Sequence, residues 1–398
     1  MDYKSSTISK LDGILAQIFE LRNREFPYKS SQIALELLSK YFKDEKDRII
    51  NISPSSKVLS NLCEQLVSDI DKYLPIIGLI SNSSSVRNIF EAFDPMWELA
   101  SNILEPSNTP QFAKIHLILS SEWSRFSPFV YSQLPFTNIL PGFVLIGLPA
   151  SESANPFLLP LAGHELGHVV WRKFSLEQRI KQIVAETIKA KLGQKGTGLI
   201  SLLNHPKFMH LNSLALYQAE ELFCDFLGLR LFGNSFIHAL HYFLFPKNGP
   251  YRPIDYHYPP NEERLKVIKN YSAIHHIAFP KYAEKSLSVH SCVADDCTIL
   301  CTIRRNLEQT LDSLIDEVLP KRLYLHSQEE SDKIAIKFRI VVPATDVKSM
   351  ADILNAGWKV YLELLDSSNK TEGRLKIEYL KDIMAKNLEI FTIERMTR

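Results

Sequence analysis

The sequence has little of what marks disulfide-stabilised, membrane-spanning or nucleic-acid-binding chains. Its five cysteines are an odd number in 398 residues, so we expect reduced thiols rather than a disulfide framework. Its longest apolar runs, such as 143–150, fall short of the roughly 18 residues that a membrane span needs. A net charge of +1 gives no general excess of basic groups for a nucleic-acid backbone. We therefore expect no membrane insertion and no nucleic-acid partner.

Targeting and phosphate-binding signals are also missing. The first residues, MDYKSSTISKLDGIL, are polar and lack the apolar core of a secretion signal. The loop GQKGTG at 193–198 lacks the GxxxxGK[ST] order of a phosphate cradle. These absences favour a cytoplasmic protein and argue against nucleotide binding at that loop.

Hydrophobic periodicity predicts a mainly α chain of the α+β class. Residues 1–110 read as helices, and further helices are predicted near 157–173, 176–191, 213–232, 346–365 and 371–388. Runs rich in Ile, Leu and Val predict strands at 114–121 and 143–150, and the alternation in KIAIKFRIVV predicts a strand at 333–342. We expect three regions: an N-terminal helical region at 1–110, a catalytic core at 111–270 and a mixed α/β C-terminal region at 271–398.

The stretch AGHELGHVVW carries the clearest chemistry. On a helix, His164 and His168 share one face, so both imidazoles can reach one cation. A catalytic zinc site takes three protein ligands and a water, and Glu165 lies beside the open position, where it can act as general base. The ordinary alternative is two histidines in the hydrogen bonds of a buried helix. The strand at 143–150 precedes this helix and would suit pairing with an extended peptide.

A third ligand is needed downstream, and three acids are candidates. Glu221 is favoured, because Asp225 follows one helical turn later and can accept the second ring N–H of a ligating histidine. Glu186 has no acid four residues further on, and Glu220 has Cys224 at that spacing, which offers no such partner.

The segment HYPPNEERLKVI supplies candidates for oxyanion stabilisation. Two prolines force an extended approach, after which acids open a helix. His257, Tyr258 and Arg264 each carry a donor that can stabilise a tetrahedral oxyanion. The alternative is a proline turn followed by an arginine in an ion pair.

HELGH, then ELFCD, then YPPNEER resembles the gluzincin metallopeptidases in motif order, especially the group of the CAAX prenyl proteases and heat-shock membrane peptidases. The resemblance implies one Zn²⁺ per chain held by His164, His168 and Glu221, with Glu165 as base and Asp225 behind the ligands. A Tyr-Pro in the last motif is also similar to the phage-exclusion peptidases. Tyr258 stands where the larger group has histidine, so the oxyanion donor stays open between Tyr258 and His257.

These observations predict a zinc metalloendopeptidase with a zincin-like core, a strand plus the HExxH helix. Its partners would be a protein or peptide substrate, together with an activating partner if proteolysis in the cytoplasm has to be restrained. The alternative from another class is a non-catalytic, zinc-stabilised interaction or regulatory protein.

Overall fold

The computed structural model describes most of the chain. The described residues are 3–53, 57–85, 88–105, 114–123, 127–131, 138–193, 206–244, 259–285, 287, 295–321, 323, 325–366 and 370–397. The helices are α1 (Tyr3–Arg22), α2 (Lys29–Asn51), α3 (Lys57–Asn82), α4 (Phe93–Leu104), α5 (Pro160–Lys173), α6 (Leu176–Gly193), α7 (Pro206–Phe232), α8 (Asn234–Leu244), α9 (Asn261–Ile274), α10 (Lys281–Glu284), α11 (Asp295–Val318), α12 (Gln328–Arg339), α13 (Met350–Leu365) and α14 (Lys370–Thr397). Short 3₁₀ helices lie at Phe90–Ala92 and Pro156–Leu158.

Three strands form one small mixed sheet: β1 (His116–Glu122), β2 (Phe129–Tyr131) and β3 (Phe143–Pro149). The order is β1-β3-β2, with β1 parallel and β2 antiparallel to β3. The predicted strands at 114–121 and 143–150 are confirmed. β3 is the central strand, and its two edges are hydrogen-bonded to β1 and β2. The expectation that β3 pairs with an extended substrate is therefore wrong where these two strands already occupy its edges.

The chain divides into two compact units, one formed by 1–97 and 107–154, the other by 98–106 and 155–398. In the first unit, α1, α2 and α3 bury aliphatic side chains at three- and four-residue spacing, such as Leu11, Ile14 and Ile18. The sheet belongs to this unit: Ser120 on β1 donates from its hydroxyl to the carbonyl of Leu79 at 2.7 Å. The strands therefore pack with the N-terminal helices in this unit.

Within its described residues, the regular secondary structure of the second unit is entirely helical. Its interior is tied together by side-chain to backbone bonds: Trp358 donates to the carbonyl of Phe157 at 3.0 Å, and Asn355 donates to that of Phe232 at 2.7 Å. None of the helices in the described ranges combines the length and apolar character that crossing a bilayer requires.

The predicted strand at 333–342 is wrong, because most of that stretch belongs to α12. Ser327 caps the helix by accepting from the amide of Glu330, and the buried positions, Ser331, Ile334, Ala335 and Phe338, follow helical spacing. Ile336 is 59% exposed, so only half of the apparent alternation faces a core. The described part of the C-terminal region is therefore helical rather than mixed.

The expectation that the cysteines are reduced thiols is corrected at one position. Cys63, Cys224 and Cys301 are free thiols, whereas Cys297 is disulfide-bonded.

Candidate metal centre

The histidine pair lies on α5, which begins at Pro160, a residue whose fixed φ suits the first turn of a helix. The rings of His164 and His168 are 5.1 Å apart between centroids, with their planes at 82°. Both residues are on the face that packs against α7. The four-residue spacing therefore brings the two imidazoles together.

Glycines allow α5 and α7 to approach closely. A Cβ built on Gly167 would lie 2.8 Å from the Cα of Cys224, and one on Gly163 would lie 3.6 Å from the Cα of Gly228. Partner numbers on α7 fall as numbers on α5 rise, so the two helices are antiparallel. This close packing places the α7 acids opposite the α5 histidines.

Glu221 faces both imidazoles through their Nε2 atoms. Its Oε2 is 3.3 Å from Nε2 of His164, and its Oε1 is 3.7 Å from Nε2 of His168. Ligands at about 2.0–2.1 Å from a tetrahedral zinc are separated by about 3.3–3.4 Å. The Glu221 carboxylate therefore lies at or slightly beyond the ligand-to-ligand spacing from each imidazole, and Glu221 is 2% exposed.

Carboxylates hold the opposite edge of each ring. Nδ1 of His164 donates to Oδ1 of Asp225 at 2.9 Å, and Nδ1 of His168 donates to Oε1 of Glu220 at 2.8 Å. A hydrogen bond at Nδ1 fixes the tautomer in which Nε2 carries the lone pair that a metal needs. The Asp225 contact is the one that its spacing from Glu221 predicts.

Arg264 completes the inner charge network. Its Nε donates to Oδ2 of Asp225 at 2.8 Å, and its Nη2 donates to Oδ1 at 2.6 Å. Such a bidentate pair neutralises a carboxylate that is fully buried. The structure therefore brings Arg264 to the site through Asp225, one step behind the candidate ligands.

Glu165 lies between the two histidines in the sequence, and its side chain is buried, with 7% of its surface exposed. Burial is the largest influence on this carboxyl and raises its pKa, although the neighbouring imidazoles oppose the shift. A raised carboxyl pKa suits a group that has to take up a proton and release it again.

The charge network shifts the pKa of each buried partner. Burial lowers the pKa of His164, but the hydrogen bond to Asp225 and the contact with Glu221 outweigh it and raise that pKa to about 10. Burial raises the pKa of Asp225, but Arg264 and His164 prevail and lower it to about 2. The pKa of Glu221 is lowered in the same way, chiefly by His164. Asp225 and Glu221 are therefore carboxylates at neutral pH.

Cys224 is a second candidate for the third ligand. One donor atom each from His164, His168 and Cys224 lie within 4.8 Å of one another. Burial, followed by the charges of Glu221 and Glu220, raises the pKa of the Cys224 thiol well above its ordinary value. Glu221 is the better candidate, because its two oxygens face the Nε2 atoms while both Nδ1 atoms are already hydrogen-bonded.

The other predicted residues fall in different places. Glu186 lies on the exposed face of α6, where it accepts from Gln182 at 2.8 Å. His257 and Tyr258 lie outside the described residues. The sequence did not predict a contact between Glu220 and a candidate histidine ligand, yet Glu220 bonds to His168. The residue one turn after Glu220 is Cys224, which gave no hint of such a contact. The position of Glu220 next to Glu221 was the signal that could have indicated it.

Comparison with protein-family models, with curated proteins and with solved structures gives no match for this chain. The functional conclusion therefore depends on the geometry and charge of the site itself.

Proposed function

We propose that the protein is a zinc metalloendopeptidase of the gluzincin type, with His164, His168 and Glu221 as metal ligands. The observation that carries the proposal is the placement of both Nε2 atoms at 3.3 and 3.7 Å from the two oxygens of Glu221. In this proposal, the antiparallel pair α5 and α7 is the helical part of a zincin-like core.

The charge of the cluster supports a divalent cation. Four acids, Glu165, Glu220, Glu221 and Asp225, face two guanidinium groups, those of Arg172 and Arg264. When both imidazoles are neutral, as metal binding requires, this leaves an excess of two negative charges, which protonation of His164 reduces to one in the metal-free site. Burying such an excess is unfavourable unless a cation compensates it.

The residues of the chain then divide the work of hydrolysis. A bound zinc ion supplies Lewis-acid chemistry, polarising a carbonyl and acidifying a water molecule. Glu165 takes a proton from the attacking water and delivers it to the nitrogen of the departing amine. Asp225 keeps His164 in its ligating tautomer, and Arg264 keeps Asp225 ionised. Tyr258, His257 or a further N–H of Arg264 stabilises the oxyanion.

The test compares the wild-type chain with Glu165→Gln and with Glu186→Gln as a surface control. All three forms, purified without chelator, should hold about one zinc per chain by elemental analysis. Proteome-wide mapping of new N-termini should show cleavage by wild type and Glu186→Gln. Glu165→Gln should lose about 10²–10⁴-fold in cleavage rate, because the proton carrier is gone.

Two further variants separate the candidate third ligands. Glu221→Gln should lose bound zinc, whereas Cys224→Ala should keep it. The opposite pattern would assign the thiol as ligand. Zinc retained in every form with no cleavage by wild type would favour the non-catalytic, zinc-stabilised protein instead.

A further inference from the structure

Two consecutive glutamates contact opposite edges of the His168 ring. Oε1 of Glu220 accepts from Nδ1 at 2.8 Å, while Oε1 of Glu221 lies 3.7 Å from Nε2. The side chains of His168 and Glu220 are each 14% exposed, so this contact lies at the edge of the buried cluster. Neighbouring residues on a helix point about 100° apart, which lets one reach the metal side of the ring and the other reach behind it.

Glu220 is held in place from α5 at two points. Arg172 follows His168 by one helical turn, and its Nη2 lies 3.6 Å from the same Oε1 of Glu220. The guanidinium is 42% exposed and the carboxylate is mostly buried, so the pair links the surface to the ring. Its arrangement parallels that of Arg264 and Asp225 behind His164.

We propose that Glu220 is a positioning residue that orients His168 for metal binding, an inference that rests on the proposed function. Its hydrogen bond selects the tautomer with a lone pair on Nε2 and limits rotation of the ring. One helix, α7, then supplies a ligand and both carboxylates that orient the histidine ligands. Each histidine has its own acid, and each acid has its own arginine.

The experiment measures zinc affinity by competition with a chromophoric chelator for wild type, Glu220→Ala, Glu220→Gln and the surface control Glu186→Ala. Glu220→Ala should bind zinc about 10–100-fold more weakly. Glu220→Gln should recover most of the affinity, because its amide oxygen still accepts from Nδ1. Glu186→Ala should match wild type. Urea unfolding of the metal-free forms shows whether any loss merely reflects a weaker fold.

A double-mutant cycle with His168→Ala isolates the positioning role. In that background, Glu220→Ala should cause no further loss of zinc affinity, since the ring on which it acts is gone. An equal loss in both backgrounds, or an affinity of Glu220→Ala within about threefold of wild type, refutes the positioning role alone. Absence of zinc binding by wild type refutes the proposed function and this inference together.

Discussion

Substituting Gly167 by alanine should damage both the stability of the fold and the proposed metal centre. The added Cβ would lie 2.8 Å from the Cα of Cys224, whereas ordinary contacts begin near 3.4 Å. The obstacle is backbone and cannot rotate away, so α5 and α7 have to separate by about 0.6 Å. Overpacking of this kind costs about 1–3 kcal/mol, which the better helix propensity of alanine offsets by up to about 1 kcal/mol.

The same displacement reaches the proposed ligands, because the tight approach lies beside His168 on one helix and near Glu221 on the other. Their closest approaches are 3.3 and 3.7 Å, and functional sites tolerate displacements of only about 0.5 Å. We therefore expect zinc affinity to fall by at least about tenfold, equivalent to about 1.4 kcal/mol. Chelator competition and urea unfolding measure the two effects separately.

Gly78→Ala on α3 is the matched control, since a Cβ there would meet nothing within 4 Å. It should stabilise the protein by up to about 1 kcal/mol and leave zinc affinity unchanged. Adding Cys224→Ala to Gly167→Ala removes the sulfur that lies 2.9 Å away but leaves the backbone of α7 in place, so the double variant should stay impaired. If Gly167→Ala instead behaves like Gly78→Ala, the close approach of the two helices does not set the ligand spacing.

Three other predictions each concern a single residue: Arg264, Val341 or His164. Arg264→Met should destabilise the fold by up to about 3–5 kcal/mol in chemical unfolding, because the buried Asp225 carboxylate loses its guanidinium partner and keeps the His164 imidazole; adding Asp225→Asn should restore part of the loss, and no restoration would contradict this cause. Val341 has φ 55° just after α12, so Val341→Gly should raise the free energy of unfolding by about 0.5–1 kcal/mol, whereas Val342→Gly should lower it. Zinc binding should release about one proton between pH 6.5 and 8.5, because the His164 imidazole, with its pKa near 10, has to lose its proton to bind metal. Affinity should therefore rise about tenfold per pH unit in that window; calorimetry in buffers of different ionisation enthalpy measures the released proton, and a pH-independent affinity would contradict its displacement.

The elements that the sequence predicts well are those with one unambiguous period. The helices around α5 and α7 and the strands β1 and β3 occur where hydrophobic spacing predicts them. The stretch at 333–342 fits two periods, since Ile334 and Phe338 are four residues apart and also lie on one side of an alternating pattern. Ser327 and the acids of the first turn favour the helix, and that local signal outweighs the alternation.

In the candidate site, too, the sequence predicts the residues whose grouping depends on one helix and misses those that depend on packing between helices. His164, Glu165 and His168 are grouped by spacing alone, and Asp225 follows Glu221 by one turn of the same helix. The contact of Glu220 with His168 could not be predicted, because the partner of Glu220 depends on how α7 is rotated against α5. A single helix does not carry that information.

The sequence by itself determined which residue types are the proposed ligands, their grouping on two helices and the mainly helical class, because those features depend on spacing along one element. Only the tertiary structure decided which acid meets which nitrogen, that β3 is a central strand, and that Arg264 is paired with Asp225. Those outcomes depend on the distance and rotation between elements far apart in the chain; for α5 and α7, the packing of Gly163 and Gly167 sets that distance.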